Sequence, residues 1–362
     1  MRLHSIGILA SSCVAIATAG AQSVIDGGAH AGPQFVQYQL KSPVDVKISE
    51  LAIPLWAFVP ITKAFSVDVG TAFASSRVQA TIGDDSKISG LTDTQVRASY
   101  VIGNDAVVLT AGLNLPTGQS TAKVDQLAAA TFIGNDFLAF PVTSMGSGFG
   151  FTGGAAFARS AGAWNLGLGG SVRASSAYDP FEIDNAGTKL RYVPGNEYRG
   201  RVGADRLAGN GRVSLGLTYS TFGREEAGGS AYNSGDRWIA QASYGGVVGS
   251  GQLTLAAWDL YRASGTVGDS TKTGREQIVN ALVAYGFRPN GVLIEPSIEG
   301  RVWTQQGFSS SNMVNLGVRT QFTAGQLSIT PAARYSLGKV AGIGASADLT
   351  GWQMLVSFGL GR

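Results

Sequence analysis

Residues Leu91–Gly118 read LTDTQVRASYVIGNDAVVLTAGLNLPTG, two alternating stretches around a short polar turn, Gly103-Asn104-Asp105. On the first stretch Thr94, Val96, Ala98 and Tyr100 share one face, and Asp93, Gln95, Arg97 and Ser99 share the other. On the second, Val107, Leu109, Ala111, Leu113 and Leu115 alternate with Val108, Thr110, Gly112 and Asn114. Side chains on a strand point alternately to opposite faces. The pair is therefore a hairpin with one apolar face and one small, polar and charged face. A soluble sheet would bury the apolar face, so repetition of the unit decides what that face meets.

The unit recurs along the chain. Phe65, Val67, Val69, Thr71 and Phe73 oppose Ser66, Asp68, Gly70 and Ala72, and Trp164, Leu166, Leu168 and Val172 oppose Asn165, Gly167, Gly169, Ser171 and Arg173. Further alternating stretches lie around 149–157, 198–205, 213–220, 237–244, 253–257, 279–287, 292–302, 314–322, 327–336 and 352–360. Segments of roughly ten residues with this period, separated by turns, are the signature of a transmembrane β-barrel. Hydrocarbon forces closure, because an open edge leaves backbone groups unpaired. Connections alternate between short (103–105, 209–211, 289–291, 324–325) and long (79–90, 117–147, 176–196, 223–236, 263–274, 339–349). Aromatic residues gather at both strand ends, Phe65, Tyr100, Trp164 and Tyr285 at the short turns, Phe73, Tyr219, Trp238 and Trp352 at the long loops. Both habits separate a membrane barrel from a secreted sandwich or jelly roll.

The expected fold is all-β, an antiparallel up-and-down barrel of about sixteen strands. Fourteen strands run from Phe65 to the end; 47–61 adds another despite Pro54 and Pro60, and 35–41 supplies the strand that makes the number even. Fourteen strands with an N-terminal segment inside the barrel is the alternative. Either barrel is wide enough to hold a lumen.

Composition agrees. The chain has 362 residues, 51 of them Gly, with 44% hydrophobic and only 14% charged residues and a net charge of +3. That is about twice the usual share of Gly, and the apolar fraction is too high for disorder. Lys/Arg clusters with interleaved aromatics are absent, which excludes nucleic acid as a partner. Arg2, the apolar segment 6–19 and Ala19-Gly20-Ala21 fit an export signal cut before Gln22. Residues 22–34 read as a lead-in and 35–362 as one barrel domain. Cys13, the sole cysteine, lies in the signal, so no disulfide framework holds the exported chain. The expected location is a bacterial outer membrane, and the expected partners are outer-membrane lipid, the barrel-assembly machinery and a small-molecule solute.

Ser89–Val96 followed by Leu113–Gly118 resembles a hairpin of the outer-membrane barrel family linked to the meta pathway of phenol degradation. These are relatives of the long-chain fatty-acid and aromatic-hydrocarbon transporters. There a Gly-x-Gly-Asp segment leads into a strand and the next strand ends in Leu-Pro-Thr-Gly; here Thr92 stands at the second Gly. The resemblance covers about thirty residues and implies a transport barrel. The fatty-acid transporters proper carry an Asn-Pro-Ala plug motif, which Gln22–Gln34 lacks, so their lateral-exit mechanism does not carry over.

Function then rests on the lumen and the loops. Parity sends Asp68, Arg97, Asn114, Arg173, Arg199, Arg201, Arg237, Glu295, Glu299, Arg301, Arg319 and Arg334 inward, with Gln95, Asn165, Asp205, Gln321 and Gln353. Eight arginines against four carboxylates predict a passive channel preferring anions. The alternative is that arginines and carboxylates neutralise one another across neighbouring strands. In the long loop 117–147, Val124, Leu127, Ala128, Thr131 and Phe132 keep helical spacing, and Phe137, Leu138 and Phe140 follow. Such a loop could constrict the mouth, offer hydrophobic solutes a landing site, or pack on adjacent loops. Cofactors are not expected, metals included, and the chain does not read as an enzyme. His4 leaves with the signal, and His30 falls in the lead-in, off any strand. A structural or adhesive barrel without transport is the remaining reading.

Overall fold

The computed structural model describes residues 28–361 apart from 42–44, 82–83, 104–105, 269–270 and 342–345. The expected signal lies outside the described residues, as do Asn104 and Asp105 of the turn. Sixteen antiparallel strands close into a barrel. In chain order they are β1 (Gly28–Ala31 and Gln34–Lys41), β2 (Val46–Pro60), β3 (Phe65–Ala80) and β4 (Ser86–Leu91 and Thr94–Ile102). Then come β5 (Val107–Leu115), β6 (Gly150–Ala161), β7 (Trp164–Ser175), β8 (Glu197–Ala208), β9 (Gly211–Phe222) and β10 (Arg237–Val248). The last six are β11 (Gly251–Arg262), β12 (Glu276–Gly286), β13 (Leu293–Gln305), β14 (Ser311–Ala324), β15 (Leu327–Ala341) and β16 (Ser346–Gly361). Both halves of β1 pair with β2 on one side and β16 on the other, which closes the ring.

Strand pairing reaches back to Gly28, ahead of the start at Phe35 read from alternation. His30 is consequently on a strand, in register with Trp56 and Gly359, and its ring lies 5.5 Å from that of Trp56. The reading of His30 as off any strand is corrected. Gly32 and Pro33 interrupt β1, and two small residues beside a proline obscured its alternation.

The outward face is apolar and exposed, with Leu55, Leu113, Phe157, Leu168, Val202, Leu215, Val283 and Leu316 among it. Leu168 reaches 61%. A closed barrel with such a belt and a polar interior meets the bilayer's requirement that every backbone polar group be paired within the protein. No helix of the described residues is long and apolar enough to cross a membrane.

Parts of two stretches read as long loops are strand. β3 runs to Ala80 with β4 starting at Ser86, and β15 runs to Ala341 with β16 starting at Ser346. The cause is a reversal of phase. At the loop end of β15, β16 and β1–β4 the apolar residues point inward: Leu40, Ile48, Val78, Ile88 and Leu349 are buried, while Lys41, Lys47, Arg77, Lys87, Lys339 and Asp348 are exposed outside. Here the wall stands above the lipid and packs on something inside it.

Three other long loops form short hairpins, 178–193, 225–233 and 266–272, that pair into a second six-stranded sheet above β7–β11.

Candidate functional site

What fills the tall side of the barrel is the segment between β5 and β6. It holds a single 3-10 turn, Val124–Gln126, and one short helix, α1 (Leu127–Ile133). The helix buries Ala129 and Ile133, leaves Ala128 and Thr131 exposed, and holds Leu127 and Phe132 half-buried. The expected face, with Ala128 and Thr131 inward, is therefore rotated. Phe137, Leu138, Phe140, Val142 and Met145 follow, all buried in one core with Tyr38, Ile48, Ile88, Met313 and Leu349 of the wall. The Phe140 ring meets Tyr38 edge-on at 5.5 Å, and Phe137 stacks on Trp303 at 5.8 Å. The loop folds inward against the wall, and its apolar residues are consumed in packing.

Polar side chains of the wall secure the loop's backbone. Tyr38 donates to the Leu138 carbonyl at 3.0 Å, and Arg301 donates to the Phe137 carbonyl at 2.6 Å. Glu50, fully buried, accepts the Val142 N–H at 2.8 Å and the Ser76 hydroxyl at 2.9 Å. Ser86 donates to the Asp125 carbonyl at 2.7 Å and accepts the Ala129 N–H at 3.1 Å. Buried polar groups need such partners, and these bonds supply them for the loop's backbone.

Asp93 ties the loop's two ends together. It sits between the halves of β4, where side-chain parity slips: Ile88 and Gly90 point inward before it, Gln95 and Arg97 after it. Its carboxylate accepts the Gly118 N–H at 3.1 Å, the Ser147 N–H at 2.7 Å and the Asn114 amide at 2.8 Å. The two stems cross so closely that a Cβ on Gly118 would lie 2.0 Å from the Met145 carbonyl oxygen. Thr92, at the position of the missing glycine, accepts the Ala72 N–H on its hydroxyl at 2.9 Å.

Every lumen candidate lies on the inner face, but the arginines divide. Arg97 pairs with Asp68 at 2.8 Å and Arg319 with Glu295 at 2.9 Å, while Arg301 and Arg334 share Glu299, both at 2.8 Å. Asn280 donates to the same Glu299 carboxylate. Neutralisation between neighbours thus holds along β3–β4 and β13–β15. Asn114 belongs to the Asp93 clamp and also donates to the Gly148 carbonyl at 2.6 Å.

On the opposite wall, β7–β11, register places Arg199, Ser220, Arg237 and Arg262 in one row across four strands. Arg173 and Arg201 flank it, opposite Glu197 and Gly169. Arg199 pairs with Glu197 at 2.6 Å, and Arg262 with Glu276 at 2.6 Å and with Asp136 of the loop at 3.1 Å. Arg237 lies over the Phe222 ring at 5.8 Å. Among the described residues, neither Arg173 nor Arg237 forms a salt bridge. Side chains on both walls keep solvent access, 30% for Arg199 and 36% for Arg334.

Alternation did not reveal Arg262, because Trp258 and Leu260 are apolar residues on the inner face and end the pattern before it. Asp136, Glu50 and Tyr38 gain their roles only by meeting across the lumen. Above the row, Tyr178, Tyr192 and Tyr232 line the outer sheet, with rings 5.7 and 6.4 Å apart. Burial raises all three phenols above the ordinary tyrosine value, and for Tyr192 the hydrogen bond to Glu225 adds to the effect. Among the described residues no three His, Cys, Asp or Glu side chains are placed to hold a metal ion.

Neither a protein-family model nor a curated protein sequence matches the chain. Solved structures similar to it are outer-membrane proteins. OmpT of Vibrio cholerae is 8% identical, with 94% of this chain and 99% of that one covered and a TM-score of 0.45. OccK2 of Pseudomonas aeruginosa, solved in complex with glucuronate, is 12% identical over 93% and 98%, with a TM-score of 0.45. An outer membrane channel from Pseudomonas putida F1 is 13% identical over 94% and 97%, with a TM-score of 0.39. Identities this low transfer no activity to this chain.

Proposed function

We propose that the chain is an outer-membrane channel for passive diffusion of small solutes, anions in preference to cations. The observation that carries this reading is the arginine row on the inner face of β7–β11, whose Arg199 and Arg262 side chains keep 30% solvent access inside a closed barrel. Fixed guanidinium groups raise the local concentration of anions and lower their barrier to entry. The short turns then face the periplasm and the long loops the exterior. The chain would reach that membrane through its export signal and the barrel-assembly machinery, with lipid against the outward belt.

The hairpin similarity to the meta-pathway family agrees with transport, and its Asp93 acts in the loop clamp. A landing site for hydrophobic solutes is disfavoured, because Phe137, Leu138 and Phe140 are buried against the wall.

Planar-bilayer recording of the refolded chain tests the reading. Conductance steps whose reversal potential in a KCl gradient moves toward that of chloride are expected. A folded barrel that inserts and passes no current would leave the structural or adhesive reading.

A further inference from the structure

The arginine row is more than a diffuse field. Strands in a sheet lie ~4.8 Å apart. Arg237 on β10 is thus one strand from Arg262 on β11, and Ser220 on β9 separates it from Arg199 on β8. The two outer arginines each hold carboxylates of the chain itself: Glu197 on Arg199, Glu276 and Asp136 on Arg262. The central one does not. Among the described residues Arg237 has no salt bridge, and its Nε, like that of Arg262, is buried without a hydrogen-bond partner. A buried donor left unmatched carries a desolvation cost that a bound acceptor removes. On this wall the acceptors already present are carboxylates, and a guanidinium fork matches a carboxylate with two parallel bonds.

Asp136 supplies a second, independent observation. It belongs to the inward-folded loop, yet its carboxylate reaches across to Arg262 at 3.1 Å while remaining 38% exposed. A tethered carboxylate thus sits at the end of the row where an incoming acid would arrive.

We propose that Arg237 is the centre of a discrete, saturable carboxylate-binding site on the solute path, and that Asp136 is its built-in competitor. The proposal rests on the channel reading for the words "solute path"; the site itself does not. A carboxylate entering from the loop side binds Arg237 in the fork geometry, and Arg199 and Arg262 complete the cationic surround. Asp136 weakens capture, so the acid leaves again rather than plugging the pore, as conduction requires.

Two measurements on the refolded full chain separate the site from the channel. Succinate is titrated calorimetrically into the detergent-solubilised protein, and it is added on the loop side during bilayer recording, with neutral succinamide as the control. Saturable succinate binding and reversible, saturating reduction of the chloride current are expected, without either effect from succinamide. Arg237→Gln should weaken both about tenfold or more, the range for a hydrogen bond to a charged group. Arg237→Lys keeps the charge but loses the fork. It should weaken binding similarly while leaving the KCl reversal potential in place. Asp136→Asn should move the midpoint to lower succinate concentration. Arg159→Gln, exposed on the outward face, should change nothing.

Equal midpoints in wild type, Arg237→Gln and Arg237→Lys would overturn the site and leave only a field. Tighter binding of inorganic phosphate than of succinate would overturn the carboxylate assignment. Binding that depends on Arg237 in a barrel that passes no current would keep the site and overturn the channel.

Discussion

Asp93 shows how much one side chain carries when it stands where three chain segments meet. Its two oxygens hold the N–H groups of Gly118 and Ser147, so one carboxylate fastens both stems of a loop some thirty residues long. The Leu-Pro-Thr-Gly end of β5 brings Gly118 there, and no side chain fits beside the Met145 carbonyl. Replacing Asp93 by Ala leaves those donors unmatched at about 1–3 kcal/mol. The expected result is a folded barrel whose loop becomes open to chymotrypsin after Phe132 or Phe137, with a noisier open-channel current. Unchanged digestion would show the clamp to be dispensable. Glu50 tests the same idea two strands away on the same wall. Glu50→Gln retains an oxygen for the Val142 N–H and an amide toward Ser76, and should behave as wild type in the same digestion. Glu50→Ala should resemble Asp93→Ala.

At the scale of the element, the loop and the tall wall make each other. The apolar phase of β1–β4, β15 and β16 turns inward at the loop end because Phe137, Leu138, Phe140 and Val142 are there to receive it. Without the loop these strands would line a mouth with Ile48, Ile88 and Leu349 facing water. Truncating a buried Phe to Ala costs roughly 3–5 kcal/mol. The double change Phe137→Ala, Phe140→Ala should therefore release the loop from the wall. Larger single-channel conductance and weaker selectivity are the expected readouts, since the lumen widens away from the arginine row. A smaller conductance would mean that the released loop blocks the lumen instead.

The whole molecule is governed by closure and by which side of the sheet meets lipid. Gly167 and Leu168 are adjacent on β7 but point to opposite solvents: Leu168 is 61% exposed to the outside, and a Cβ on Gly167 would touch nothing closer than 3.9 Å inside. Leu168→Arg places a charge on the lipid face and should cost ~2–4 kcal/mol near the bilayer midplane. Gly167→Arg should be nearly neutral for folding, because its side chain enters the lumen. Urea-dependent refolding into phosphatidylcholine vesicles measures both. Similar destabilisation by the two changes would contradict the assigned faces.

Alternation alone determined the barrel, the lipid-facing set of each strand and the inward placement of Arg97, Arg173, Arg199, Arg237, Arg301, Arg319 and Arg334. It could do so because a strand's period is two wherever one side meets hydrocarbon. Where the wall rises above the lipid the apolar phase reverses, which is why the strand residues 79–80, 86–90, 339–341 and 346–349 read as parts of loops. His30 escaped for a local reason, the Gly32-Pro33 break. Tertiary structure decided what local sequence does not encode. It set which arginines are neutralised by a neighbour and which stand in a row, since register matters there and not parity. It also decided that the apolar loop faces the wall rather than the solute, and that Asp136 meets Arg262 across the lumen. Contacts between segments more than a hundred residues apart exist only once the ring has closed.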